Sequence, residues 1–258
     1  MGDKSNMKEF YIDNDGSKMH AKLDMPENYT AGEKCPFALV IHGLTGHMEE
    51  PHIRAAARTF NEDGIASLRV EMFGHGMSEG DFEEHNLFKW LNGVMAAMKY
   101  IRSLDFVTDL YVCGHSQGGL TALLTAGMYP DAFDAAILLS PASGIPELAR
   151  KGKLFKEGFD PCAIPDYIFV SETEKVTADY IRAMQLIDED DAVRRYKKPV
   201  LIVHGDEDEA LPVSSSERLA GLYEDARLVV IKGDDHCYNY HLDQVTAAMH
   251  DFLVSVRS

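Results

Sequence analysis

The hexamer Gly114-His115-Ser116-Gln117-Gly118-Gly119 constrains this chain more than any other stretch. It follows the apolar run Leu110-Tyr111-Val112-Cys113, which reads as a buried strand, and precedes Leu120 to Met128, which reads as a helix. G-x-S-x-G between a strand and a helix makes a nucleophile elbow. The turn is so sharp that the serine takes a strained backbone conformation and its hydroxyl stands clear of the sheet. Gly114 and Gly118 flank the serine because a Cβ there would collide with backbones approaching closely on either side.

An elbow of this kind calls for a repeating strand and helix rhythm, and the flanking sequence has one. Cys35 to Ile41 is a continuous apolar run, as expected of a central parallel strand covered on both faces. A helix from about Pro51 to Asp63 and a strand Ile65 to Val70 follow. Residues 88 to 101 place Phe88, Leu91, Val94, Met95, Met98 and Ile101 on one helical face. Beyond the elbow come the strand Ala135 to Leu139, the strand Pro199 to Val203, a helix near Ser214 to Tyr223, the strand Arg227 to Ile231 and a closing helix from about Leu242 to Val256. At the start, Phe10 to Asp13 and Met19 to Met25 flank Asn14-Asp15-Gly16 as a hairpin. The expected class is α/β: a doubly wound, mostly parallel sheet with helices on both faces and ligands at the carboxyl ends of its strands. A length of 258 residues with 45% hydrophobic residues fits one domain over residues 1–258. Between about residues 146 and 196 the rhythm breaks. Gly158, Pro161 and Pro165 interrupt it, one helix is indicated around Thr177 to Ile187, and some fifty residues without a core strand read as a cap inserted over the strand ends.

A serine nucleophile needs a base and a third group that orients the base. In α/β-hydrolases these follow in the order serine, acid, histidine. The strand Pro199 to Val203 runs into His204-Gly205-Asp206-Glu207-Asp208-Glu209, and the strand Arg227 to Ile231 into Lys232-Gly233-Asp234-Asp235-His236. His236 is the expected general base, its ordinary pKa lying near working pH. Spacing alone leaves open which of the four acids at 206 to 209 orients it. One oxyanion donor is expected from the N–H of Gln117, at a helix N-terminus where N–H groups are unpaired, and the other from Leu44 in the loop His42-Gly43-Leu44-Thr45-Gly46. His42 is expected to shape that loop. Gly74-His75-Gly76-Met77-Ser78 has no following helix and is expected to be structural. His236, Cys237, His241, Asp234 and Asp235 match no tight metal-binding spacing, so no metal site is expected.

Composition excludes several alternatives. The formal net charge of −17 would repel a phosphate backbone or an anionic membrane surface, which argues against nucleic acid and membrane as partners. No stretch approaches eighteen apolar residues and the first residues have no apolar signal core, so a cytoplasmic protein is expected. Cys35, Cys113, Cys162 and Cys237 lie apart, as suits reduced thiols.

With these motifs placed, the chain resembles the α/β-hydrolase serine esterases, and within them the bacterial cinnamoyl and feruloyl esterases. The resemblance rests on His42-Gly-Leu-Thr-Gly46, Gly74-His-Gly-Met-Ser78, the elbow, His204-Gly-Asp-Glu-Asp208 and Asp235-His236-Cys237, and so runs nearly the whole chain. It implies an eight-stranded sheet with a short cap, no cofactor, and hydrolysis of small-molecule esters of hydroxycinnamic acids. Its G-x-x-D pattern, counted from Gly205, implies Asp208 as the acid. It also implies an aromatic acyl group beneath the cap, where Tyr167, Phe169, Tyr180, Gln185 and Glu147 are on offer and Tyr180, Glu147 and Gln185 are the expected contacts. A monoacylglycerol or short-chain lipid esterase would use the same machinery under an apolar cap. A non-catalytic ligand-binding module is the alternative of another class, but such modules usually lose a triad member and none is lost here. A peptidase reading lacks a large gating domain. A homodimer is left open.

Overall fold

The computed structural model describes residues 7–258. Strands β1 (Met7–Asn14) and β2 (Ser17–Asp24) form the expected hairpin. Its two-residue turn puts Asp15 at φ 50° and Gly16 at φ 91°, left-handed values that match the twist of the paired strands. The chain continues through β3 (Cys35–Ile41), α1 (Pro51–Glu62), β4 (Ala66–Val70), α2 (Leu87–Arg102), β5 (Val107–His115), α3 (Gln117–Met128) and β6 (Ala135–Leu139). Then come α4 (Ile145–Arg150), the short strands β7 (Lys153–Leu154), β8 (Glu157–Gly158), β9 (Tyr167–Phe169) and β10 (Lys175–Thr177), α5 (Ala178–Leu186) and α6 (Glu189–Arg195). The chain ends with β11 (Val200–Gly205), α7 (Val213–Leu222), β12 (Ala226–Ile231) and α8 (Leu242–Arg257).

The main sheet has eight strands in the order β1-β2-β4-β3-β5-β6-β11-β12. The run from β4 to β12 is parallel throughout, and β1 and β2 add an antiparallel edge. Alternate residues of the central strands feed two cores. Phe37, Leu39 and Ile41 pack with α2 and α3 on one face, while Ala38 and Val40 pack with Ile53 and Phe60 of α1 and Met249 and Phe252 of α8 on the other. Burial on both faces is why these strands read as unbroken apolar runs. This is the α/β-hydrolase arrangement, and it places the ends of β3, β5, β11 and β12 at one edge of the sheet. No helix among the described residues is long and apolar enough to cross a membrane.

Two expectations need correction. The buried stripe of α2 is Leu87, Trp90, Val94, Ala97, Met98 and Ile101, whereas Phe88 is 47% exposed. The helix is rotated by about one residue from the expected face, so that the large indole of Trp90 fills the core. The stretch 146–196 holds three helices and two small hairpins rather than one helix. The third helix, α6, belongs to the helical layer: it lies so close to α3 that a Cβ on Gly127 would sit 2.3 Å from the Ala192 carbonyl oxygen. Its sequence carries cap and dipole signals rather than apolar periodicity, with Asp188 accepting from the Asp191 N–H at 3.1 Å, acids in the first turn and Arg194 and Arg195 in the last.

The segment from α4 to α5 is closed at its base by one side chain. Glu189, 5% exposed, accepts from the Ser143 hydroxyl at 2.9 Å and from the Gly144 N–H at 3.1 and 3.0 Å, and it is paired with Arg218 of α7. The residues just before α4 are thus tied to the start of α6, just after α5, and the segment between 144 and 188 is closed at its base.

Candidate active site

The elbow has the geometry that its sequence demands. Ser116 sits at φ 53° and ψ −119°, its N–H donates to Leu139 O at 2.9 Å, and its own carbonyl accepts from Leu120 and Ala142 N–H at 3.0 and 2.9 Å. A Cβ on Gly114 would lie 2.2 Å from Gly118 O, and one on Gly118 would lie 2.3 Å from His42 O. The second clash explains how the loop after β3 comes to lie against the start of α3. His42 is fully buried and spans that loop, its Nδ1–H donating to Gly43 O at 2.7 Å and its Nε2 accepting from Met72 N–H at 3.0 Å. It is a loop-shaping group. Ser78 is likewise structural, donating to Glu71 O at 2.5 Å and accepting from His20 N–H at 2.8 Å.

Of the four acids after β11, Asp208 is the one joined to His236, accepting from its Nδ1–H at 2.6 Å. Asp206 instead accepts from Gly233 N–H at 2.7 Å, and Glu207 and Glu209 are exposed. The Asp208 carboxyl is completely shielded from solvent. Burial alone would push its pKa up. Hydrogen bonds from His204 and His236, with a backbone donor from Leu211, outweigh that and hold it well below the usual carboxylate range. His204, also fully buried, lies 3.1 Å from the carboxylate through Nε2 and makes a 2.7 Å bond to Ser216 Oγ through Nδ1. Behind His236, the Nε2–H of His115 donates to the His236 carbonyl at 2.8 Å. Neither of these two histidines was assigned a role from sequence, although each stands inside a motif that was singled out. Asp234 and Asp235 spend their carboxylates on backbone N–H groups of residues 235 to 241, shaping the turn that presents His236. Burial lifts the Cys237 thiol to about 11, so it remains protonated at neutral pH.

Ser116, Gln117, Leu44 and His236 open together onto a cavity of about 450 Å³ that the cap covers. The cap contributes Ile145, Leu148, Phe155 and Val170, a largely apolar roof. Tyr180 and Glu147 also line it, and each is engaged: the Tyr180 hydroxyl donates to Gln117 Oε1 at 2.6 Å, and Glu147 pairs with Lys151 at 2.6 Å near the surface. Gln185 does not line the cavity. Its amide donates to Ala149 O and Pro161 O, both at 3.2 Å, and so braces the cap internally. Tyr167 and Phe169 are 49% and 50% exposed on the β9 hairpin and stay outside the cavity.

Histidines buried around this site carry a stability consequence. Burial lowers His42 to about 3, and His52 and His85 to about 4, from an ordinary 6.5. Below pH 6.5 the unfolded chain takes up these protons while the folded chain does not. Stability is therefore full above pH 6.5 and is lost as pH falls toward the folded values, by about 3 kcal/mol per histidine at pH 4. Thermal unfolding should show a melting temperature that declines steeply between pH 6 and pH 4; a flat profile over that range would contradict the assignment.

A family model described as Hydrolase_4, serine aminopeptidase, S33, matches residues 33–191. That stretch holds Leu44, Ser116 and Gln117 and ends before Asp208 and His236. Among solved structures, Est1E from Butyrivibrio proteoclasticus with ferulic acid bound is 50% identical, with 95% of this chain and 98% of that chain covered at a TM-score of 0.92. A second structure of Est1E is 48% identical at a TM-score of 0.90, covering 96% of this chain and 98% of that one. The monoglyceride lipase homolog of Monkeypox virus is 27% identical over 235 residues, 80% of this chain and 81% of that protein. The 2-hydroxy-6-oxo-6-(2'-aminophenyl)hexa-2,4-dienoic acid hydrolase of Metapseudomonas resinovorans is 24% identical over 165 residues, 54% of this chain; the chain spans 56% of that relative's length. A family model on more than half of the chain, and a solved relative at half identity over nearly all of it, establish that the chain is an α/β-hydrolase of the Hydrolase_4 family, serine aminopeptidase, S33.

Proposed function

We propose that this protein is a carboxylic ester hydrolase that releases hydroxycinnamic acids of the ferulate type through an acyl-enzyme on Ser116. The observation that carries the proposal is His236, held by the solvent-shielded Asp208 carboxylate and opening with Ser116 onto one capped, mostly apolar cavity. With Nδ1–H donated to Asp208, His236 presents Nε2 as the base. It takes the Ser116 proton as the hydroxyl attacks the ester carbonyl, then returns it to the leaving alkoxide. The N–H groups of Gln117 and Leu44 stabilise the oxyanion. Water activated by the same histidine then releases the acid. The apolar roof suits a planar ring and its three-carbon arm, and Est1E, a relative at half identity over nearly the whole chain, has been solved with ferulic acid bound. We place the protein in the cytoplasm on its four unbridged cysteines and acidic surface.

The same roof also favours a second substrate class, aliphatic lipid esters, and a relative is named as a monoglyceride lipase homolog. A panel of methyl ferulate, methyl p-coumarate, p-nitrophenyl butyrate and monolauroylglycerol separates the two. The expected order puts kcat/KM for methyl ferulate above that for monolauroylglycerol. The reverse order would replace the hydroxycinnamate assignment with the lipid one.

A further inference from the structure

Tyr180 leaves the cap and enters the core. It is 2% exposed, and its hydroxyl donates at 2.6 Å to the side-chain oxygen of Gln117, the residue immediately after Ser116. Behind this bond lies a closed socket of rings. The ring of His85 packs 5.2 Å from that of Tyr180, and His75 lies 5.2 Å from both His85 and Trp90. The Nδ1–H groups of His75 and His85 are tied to the carbonyls of Phe73 and Phe82. That leaves both Nε2 atoms as acceptors facing away from those carbonyls. The Nε2 atoms of His75 and His85, the Trp90 Nε1–H and the Gln117 amide nitrogen are all buried and have no hydrogen-bond partner among the described residues. Buried donors and acceptors thus stand side by side in this ring cluster, which is built with polar groups rather than filled by apolar ones alone.

Gln117 is fixed at both ends. On the main chain, the Ser116 carbonyl, which shares a peptide with the Gln117 N–H, accepts from Leu120 and Ala142 N–H at 3.0 and 2.9 Å; on the side chain, Gln117 is held by Tyr180. The peptide between Ser116 and Gln117 carries the N–H read above as an oxyanion donor. Its tilt follows the Ser116 ψ of −119°, outside the helical range, and the bonds to the Ser116 carbonyl and to the Gln117 side chain hold it there together.

We propose that Tyr180 is a positioning residue: through Gln117 it latches cap helix α5 onto the elbow and holds the Ser116–Gln117 peptide at the tilt that the oxyanion requires. The proposal rests on the esterase reading and on Gln117 as an oxyanion donor. It makes cap seating a condition of turnover for every ester, whatever its acid.

The test uses Y180F, Q117L and the double variant on methyl ferulate, methyl cinnamate, which has no ring hydroxyl, and p-nitrophenyl acetate, which has no acyl ring. Q117L removes the side-chain acceptor and keeps the backbone N–H. Y180F should lower kcat about tenfold on all three esters with KM little changed, the size of one lost hydrogen bond felt in the transition state. Q117L should match it, and the double variant should be no worse than the poorer single variant. Emission from Trp90, the single tryptophan and part of the socket, reports whether each variant keeps its fold. If Y180F fails to fold, Q117L carries the test from the other end of the bond. A loss confined to methyl ferulate and expressed in KM, losses that multiply in the double variant, or an unchanged kcat would each overturn the latch. A wild-type protein inactive on all three esters would instead overturn the esterase reading.

Discussion

Ser116→Ala should lower kcat for methyl ferulate by about 10⁶-fold, because nucleophile and base act as a unit and neither retains its function alone. The substitution keeps the Cβ and removes only the oxygen. The left-handed φ of 53° is held by the main-chain bonds to Leu139, Leu120 and Ala142 and is borne by serine already. The melting temperature should therefore change by no more than a few degrees, and the cavity should still bind ferulate. The measurement is steady-state hydrolysis beside labelling with a fluorophosphonate, which should modify the native protein at one site and the variant at none. Activity within tenfold of the native value would remove Ser116 from the reaction.

Asp208→Asn should cost about 10³- to 10⁴-fold in kcat with little change in KM, the size expected when the orienting acid of a triad is lost. The reason lies in how the carboxylate is divided. Oδ1 accepts the N–H groups of Ala210 and Leu211, both at 2.8 Å, while Oδ2 faces His236 at 2.6 Å and His204 at 3.1 Å. In an asparagine, the carbonyl oxygen must stay on the two backbone donors, so the NH₂ group takes the Oδ2 position. It then confronts His236 Nδ1 with a donor and forces the proton onto Nε2, the atom that has to receive the Ser116 proton. The exposed neighbours supply the control. Glu207→Gln and Glu209→Gln should leave kcat within about twofold, as ordinary surface substitutions do. A large loss at either of them, or none at Asp208, would reassign the acid.

What could be read from the sequence was what short-range physics encodes. A glycine needed for close approach, an apolar run buried on both faces and an acid or histidine just past a strand are local facts. The elbow, the parallel strands of the main sheet and the hairpin turn at Asp15-Gly16 follow from them directly. Where several local answers were equivalent, only tertiary packing could choose. The four acids at 206 to 209 are equal in spacing, and the loop's bonds to Ala210, Leu211 and Gly233 separate them. Trp90 and Phe88 both fit a helical stripe, and the choice fell to the socket formed with His42, His75 and His85. The cap was least legible. Gln185 and Tyr180 both carry polar groups on α5, one turn and a half apart, yet one braces Ala149 and Pro161 while the other reaches Gln117, partners 24 to 63 residues away. No periodicity records such distances.

Glu189 also bears on how this scaffold can vary. Because its carboxylate holds Ser143 and Gly144, the insertion leaves and re-enters the sheet layer at a single point, like a bag drawn closed at the neck. The segment between 144 and 188 meets the main core through a limited set of side chains, among them Ile168, Val176, Ile181 and Met184. Segments of other lengths can be spliced there without disturbing the elbow or the Asp208–His236 pair, provided that Ser143, Gly144, Glu189, Arg218 and the Tyr180 bond to Gln117 are kept. The roof over the serine is therefore an exchangeable part, and its replacement is a route to new ester preferences on an unchanged reaction centre.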